Sequence, residues 1–129
     1  MNKQELDTLI KIIFESAREV HQHLGKGLLA SVYKSVLAYE IENKGLKVEV
    51  NKPVHILYKG KPLKEYLKCE LYIQDEVAIE IITDTSIKDR HLEHLNSILR
   101  FSKKENGLLI NFNVSSISGG FHKVYNQKL

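Results

Sequence analysis

At 129 residues, with 43% hydrophobic and 27% charged side chains, the chain has the length and composition of one globular domain, residues 1–129, able to bury a core without cross-links. Its one cysteine excludes an internal disulfide framework, and no apolar run approaches the length of a membrane span. The net charge of +3 permits contact with nucleic acid without demanding it, because the lysines are spread along the sequence.

The opening stretch, MNKQELDTLIKIIFESAREV, lacks a basic segment followed by a continuous apolar one. No signal peptide is expected from it, and a reducing, cytoplasmic setting is. Leu6, Ile10, Ile13, Ala17, Val20 and Leu24 recur at steps of four and three, which predicts a helix from about 4 to 24 with one apolar stripe. Gly25 is placed to end it in a left-handed cap. A second helix is expected from about Leu28 to Lys44, packing Leu29, Val32, Tyr33, Val36, Leu37 and Ile41, and closed by Gly45.

The period then changes to two. Leu46, Val48 and Val50 alternate with Lys47 and Glu49; Val54, Ile56 and Tyr58 repeat the two-residue period after Pro53, and Lys59-Gly60-Lys61-Pro62 reads as a turn. Leu67, Cys69, Leu71 and Ile73 are expected on one strand face, with Lys68, Glu70 and Tyr72 on the other. Cys69 there reads as a small buried hydrophobe and not as a redox group. Gln74-Asp75-Glu76 interrupts, and Val77, Ile79 and Ile81 resume the alternation. Residues 88 to 104 return to helical spacing through Leu92, Leu95, Ile98 and Leu99. Gly107 to Asn113 is mostly apolar, as in a strand covered on both faces, and Phe121 to Tyr125 completes the set. The helix between the strands at 77–82 and 108–113 predicts a crossover joining parallel neighbours. An α/β fold follows, with one mixed sheet flanked by helices.

One constellation suggests chemistry. With a turn at Gln74-Asp75-Glu76, residues opposite each other across the hairpin put Ile73 against Val77 and Glu70 against Glu80. Like charges so opposed are destabilising unless a cation, a shared proton or solvent relieves them. A hard divalent ion such as Mg²⁺ is one such cation. The same register sets Lys68 opposite Ile82, one diagonal step from Glu80, where its ammonium would neutralise the pair as a merely structural cluster. Among the histidines, His21 and His23 diverge around a helix, whereas His91 and His94 share a face; neither pair has the partners of a dedicated zinc site. Gly119-Gly120 is too short to be a phosphate loop, and no Ser-His-Asp or Cys-His set can be assembled.

In order along the chain, the segments LGKGL, a helix bearing Tyr33 and continuing AYEIENKGLKVE, then NKPVHILYKGKPL, the acidic strand pair, the histidine-bearing helix and LLINF together resemble the GxxExxY family of the PD-(D/E)XK nuclease-like superfamily. The resemblance implies a restriction-endonuclease-like fold and a Mg²⁺-dependent phosphodiesterase site. It also implies which positions carried that site. Gly27 and Tyr33 match the naming motif, but its glutamate position holds Ala30. Glu70 stands for an aspartate, Glu80 for the acid of E-x-K, and Ile82 for its lysine. His91 matches the histidine of HxxQL, and His94 takes the place of the glutamine.

Three functions remain open on these residues. The first is a nuclease-fold protein without catalysis, acting by binding nucleic acid or a protein partner. The second is a weak nuclease with migrated ligands, its metal on Glu70 and Glu80 and its catalytic groups Glu70, Glu80, Lys68 and His94. The third is a homodimeric assembly module. No membrane association is expected.

Overall fold

The mixed three- and four-residue spacing of the first segment produces α1, Lys3–Leu24, in a computed structural model that describes residues 1–126. Asn2 and Glu5 cap the helix reciprocally: the Asn2 side chain accepts the Glu5 N–H at 2.8 Å, and the Glu5 carboxylate accepts the Asn2 N–H at 3.1 Å. Gly25 ends it at φ 69° and ψ −168°, a positive-φ conformation close to glycine's own region and distinct from the left-handed helical cap the sequence suggested. The stripe Leu9, Ile10, Ile13, Ala17 and Val20 is buried against α2, Ala30–Asn43, and the sheet.

The buried face of α2 is Tyr33, Leu37, Ala38 and Ile41, an i, i+4, i+8 line. Leu29 and Val32 depart from expectation. Leu29 precedes the first turn and is 74% exposed, and Val32, one residue from Tyr33 around the helix, is exposed as well.

The five strands are β1, Val48–Tyr58; β2, Lys61–Ile73; β3, Val77–Ile82; β4, Asn106–Asn111; and β5, Phe121–Tyr125, and they lie in that order. The two runs expected at 46–50 and 54–58 are one continuous strand. β3 and β4 are parallel, linked across one face by α3, Asp89–Ser102, and the remaining neighbours are antiparallel. All six residues of β3 are buried, as a central strand with both faces covered requires. One core lies under α1 and α2 and includes Leu71, Ile73, Ile79, Leu108 and Phe112. The other lies under α3 and joins Ala78, Ile82 and Leu109 to Leu95, Ile98 and Leu99. No helix among the described residues is long and apolar enough to cross a membrane.

Strict alternation fails at one place in the outer ribbon. Leu71 and Ile73 pack in the α1/α2 core, whereas Leu67 and Cys69, expected on the same face, pack in the α3 core. β1 changes in step: Val48 contacts the first core and Val54 belongs to the second. Between these stretches stand Asn51, at φ 54°, and Glu70, and the regular pairing of β1 with β2 skips that position. An asparagine tolerates this conformation better than most residues. The β2–β3 ladder also ends here, at Leu71↔Ile79.

Ile13 has no solvent exposure and sits where α1 meets the first core. Ile13→Ala should lower stability in urea melts by about 2–4 kcal/mol. A neutral result would place the buried face of α1 elsewhere.

Candidate functional site

A cleft of about 560 Å³ opens beyond the C-terminal end of β3, and Ala30, Glu70, Glu80, Ile82, Asp84 and His94 are among the residues lining it. A depression of similar size, about 570 Å³, beside the start of α1 mixes lysines with acids, none of which is buried. The chemistry is therefore at the β3 cleft.

Glu70 reaches the cleft because β2 leaves β3 there. Its carboxylate takes over a ladder position and accepts the Ile81 N–H at 3.0 Å. Burial raises its pKa, the nearby Glu80 charge adds to this, and the Ile81 N–H bond, Lys34 and Lys68 oppose it. The hairpin register is the one the turn implies, with Ile73 against Val77, and it brings both glutamates to one cleft.

Glu80 is only 7% exposed and forms a close ion pair with Nδ1 of His94 on α3. The Glu80 carboxylate raises the pKa of His94 through this hydrogen bond, against the lowering effect of partial burial. As donor to a carboxylate, Nδ1 carries the proton. The hydrogen bond to Glu80 favours the cationic form of His94, the basic group in contact with Glu80.

His91 has a different task. Its Nδ1 accepts the Lys88 N–H at 2.9 Å at the start of α3, which leaves the proton on Nε2, 3.9 Å from Asp84. Asp84 lies beyond the sequence reasoning because it falls in a short polar stretch with no strand register to fix it. It pairs with Arg90 at 3.2 Å and Lys88 at 3.6 Å. Its carboxyl is held below the usual carboxylate range by the Thr85 backbone N–H, helped by Lys88 and Arg90. The side chain of Asn111, nearly fully buried, donates to the Asp84 carbonyl at 3.0 Å and pins the loop to the end of β4.

Lys68 does not meet Ile82. It pairs with Pro53 of β1, is exposed, and lies outside the cleft lining, because the ladder with β3 has already ended. Lys34 of α2, which donates to Asn51 at 2.8 Å, is a further cation whose charge acts on Glu70. Ile82 is buried in the α3 core, so the end of β3 supplies a hydrophobe beside Glu80.

Tyr33 holds the α2 side of the cleft. Its hydroxyl donates to the Gly25 carbonyl at 2.6 Å and accepts the Leu28 N–H at 3.2 Å, while its ring stacks on Phe112 at 4.5 Å. This strut fixes the 25–28 loop and, through it, Ala30 at the cleft wall.

A five-stranded mixed sheet with helices on both faces and two acids at the diverging end of the central hairpin agree with the sequence comparison. The model of the PD-(D/E)XK nuclease superfamily matches residues 7–124. The chain belongs to that superfamily. No curated protein and no solved structure matches the chain significantly. PD-(D/E)XK nucleases generally use Mg²⁺, and the donor set here fits that ion poorly. Glu80 is engaged by His94, Glu70 by a backbone N–H, and the α2 wall offers the methyl group of Ala30. Among the described residues, no group of three or more histidine, cysteine, aspartate or glutamate side chains is arranged to hold a metal ion.

The raised pKa of His94 has a stability consequence of defined sign. The ion pair's contribution is fully present below the unfolded-state value, about 6.5, and is lost as pH rises through the higher folded value. The stability gap between the unmodified protein and His94→Gln, measured in urea melts, should shrink as pH climbs above about 6.5. By NMR, the His94 ring should titrate above a free imidazole and move down in Glu80→Gln. A His94 midpoint at or below the free value would remove the ion pair from the account.

Proposed function

We propose that this PD-(D/E)XK protein is a single cytoplasmic domain of the GxxExxY branch that has lost phosphodiester cleavage and acts by binding nucleic acid. The observation that carries the reading is the Glu80–His94 pair. A carboxylate already engaged by a positioned imidazole is a poor ligand for a metal ion, since the ion must displace the ring or sit beside it. Two absences support the reading. Ala30 supplies no charge where the family resemblance places an acid, and Ile82 offers no ammonium to stabilise developing phosphate charge.

Glu70 and Glu80 remain, so the reading is open to direct test. Purified protein with Mg²⁺ or Mn²⁺ should cut plasmid or single-stranded DNA no faster than Glu80→Ala. Loss of one positioned charge-stabilising group typically lowers a rate by about 10² to 10³. Ala30→Glu and Ile82→Lys combined with His94→Gln should restore metal-dependent cleavage, and should raise Mn²⁺ affinity in calorimetric titration, where the variant retains its circular dichroism spectrum. Robust cleavage by the unmodified protein, abolished in Glu80→Ala, would overturn the reading. It would favour a divergent nuclease in which Glu70, Glu80 and His94 serve as migrated groups.

A further inference from the structure

The tip of the β1–β2 hairpin stands clear of the rest of the sheet. Only Leu71–Ile73 of β2 pair with β3, whereas the ribbon continues to a two-residue turn at Lys59 and Gly60, both at positive φ. Charge is concentrated on it. Residues 52–68 carry five lysines and one glutamate in a chain whose net charge is +3, which leaves fourteen cationic and fifteen acidic side chains elsewhere. Lys59, Lys61, Lys64 and Lys68 take part in none of the ion pairs among the described residues.

The arrangement is ordered as well as basic. Lys64, Tyr66 and Lys68 alternate along β2 and so share one face, with same-face neighbours about 7 Å apart. His55 pairs with Tyr66 across the ribbon, their rings 6.4 Å apart. This face lies opposite Val54 and Leu67, which turn toward the α3 core, so it has no covering element. Tyr66 is 59% exposed although it has a full aromatic face to bury. The row runs toward the cleft: Lys68 is two residues from Glu70, and its charge acts on that carboxylate.

We propose that the Lys64–Tyr66–Lys68 face is a binding track for single-stranded nucleic acid, in which the two lysines, about 14 Å apart along the strand, meet phosphates on either side of a base that stacks on Tyr66 beside His55. Lysines spaced by an exposed ring combine the two contacts that sequence-tolerant single-strand binding uses, backbone neutralisation and stacking. The inference deepens the nucleic-acid-binding reading above and rests on it.

The test is fluorescence anisotropy with a fluorescein-labelled oligothymidylate of about 20 nucleotides, in EDTA so that cleavage plays no part. The unmodified protein should bind with log Kd linear in log salt. Lys64→Ala with Lys68→Ala should reduce the magnitude of that slope by about 1.4. Tyr66→Ala should weaken binding about tenfold and leave the slope unchanged. Both variants change exposed side chains and should keep the parental melting temperature. Equal binding by the unmodified protein and both variants would overturn the track while leaving nucleic-acid binding through another surface. An unlabelled duplex competing as well as the single strand would overturn the single-strand assignment. Absence of oligonucleotide binding by the unmodified protein would overturn both the track and the reading beneath it. In that case, a concentration-dependent dimer in sedimentation, lost in Tyr66→Ala, would assign the face to a second copy of the chain.

Discussion

The change of face at Asn51 and Glu70 governs both the core and the cleft. A two-stranded ribbon with strict alternation can feed only one side of a sheet with its apolar set. Here the inner part of the ribbon supplies Val48, Leu71 and Ile73 to the α1/α2 core, and the outer part supplies Val54, Leu67 and Cys69 to the α3 core. The switch requires one residue pair to abandon regular geometry. Asn51 takes positive φ and is held by Lys34, and Glu70 loses its place in the ladder. The Ile81 N–H would then be stranded without an acceptor, and the Glu70 carboxylate supplies one. One irregularity thus lets the ribbon serve both cores, opens the cleft beside β3, and releases the outer hairpin from the sheet.

The α2 wall of the cleft depends on a second polar device. Gly25 and Gly27 both have positive φ, so the link from α1 to α2 turns sharply, and the Tyr33 hydroxyl bridges it by accepting one N–H and donating to one carbonyl. Stacking on Phe112, which follows β4, ties the link to the sheet. The tyrosine and first glycine of the sequence motif are therefore explained by folding alone. Between them, Ala30 presents only a methyl group to the cleft.

Elements whose burial follows a single period were legible in the sequence. The α1 stripe, the Val77–Ile79–Ile81 alternation of β3, the buried run of the parallel β4 and the 73–77 turn all follow from spacing, because each face of these elements keeps one environment along its length. Legibility failed where an element changes environment midway. Leu67 and Cys69 keep the parity of Leu71 and Ile73 in sequence but lie across the sheet from them, and nothing in the local pattern marks Asn51 as the switch. The same failure misplaced Lys68, whose assignment opposite Ile82 extended a register that stops at Leu71↔Ile79. Leu29 and Val32 failed for another reason: they are apolar at a helix start where no layer covers them. At the site, the convergence of Glu70 and Glu80 on one cleft was readable because both lie one step beyond the intact ladder. The partner of Glu80 was not, since a contact from α3 to β3 depends on tertiary packing and has no sequence period.

That partner shows why the altered positions belong together. Glu80 lies on a central strand with almost no exposure, and an ionised carboxylate there is costly unless a positive charge or several donors meet it. In a metal-dependent site the ion and a neighbouring lysine provide that charge. Ile82 brings no charge to the strand beside Glu80, and Ala30 brings none to the α2 wall. The compensation comes from α3, where His94 is within reach at the position that the family resemblance gives to a glutamine. A glutamine can donate to a carboxylate but cannot carry its countercharge, whereas an imidazole with a raised pKa does both. His94 is therefore the partner that β3 itself does not supply to Glu80. It gives the buried Glu80 carboxylate a basic partner from α3, and the two side chains form a closed pair.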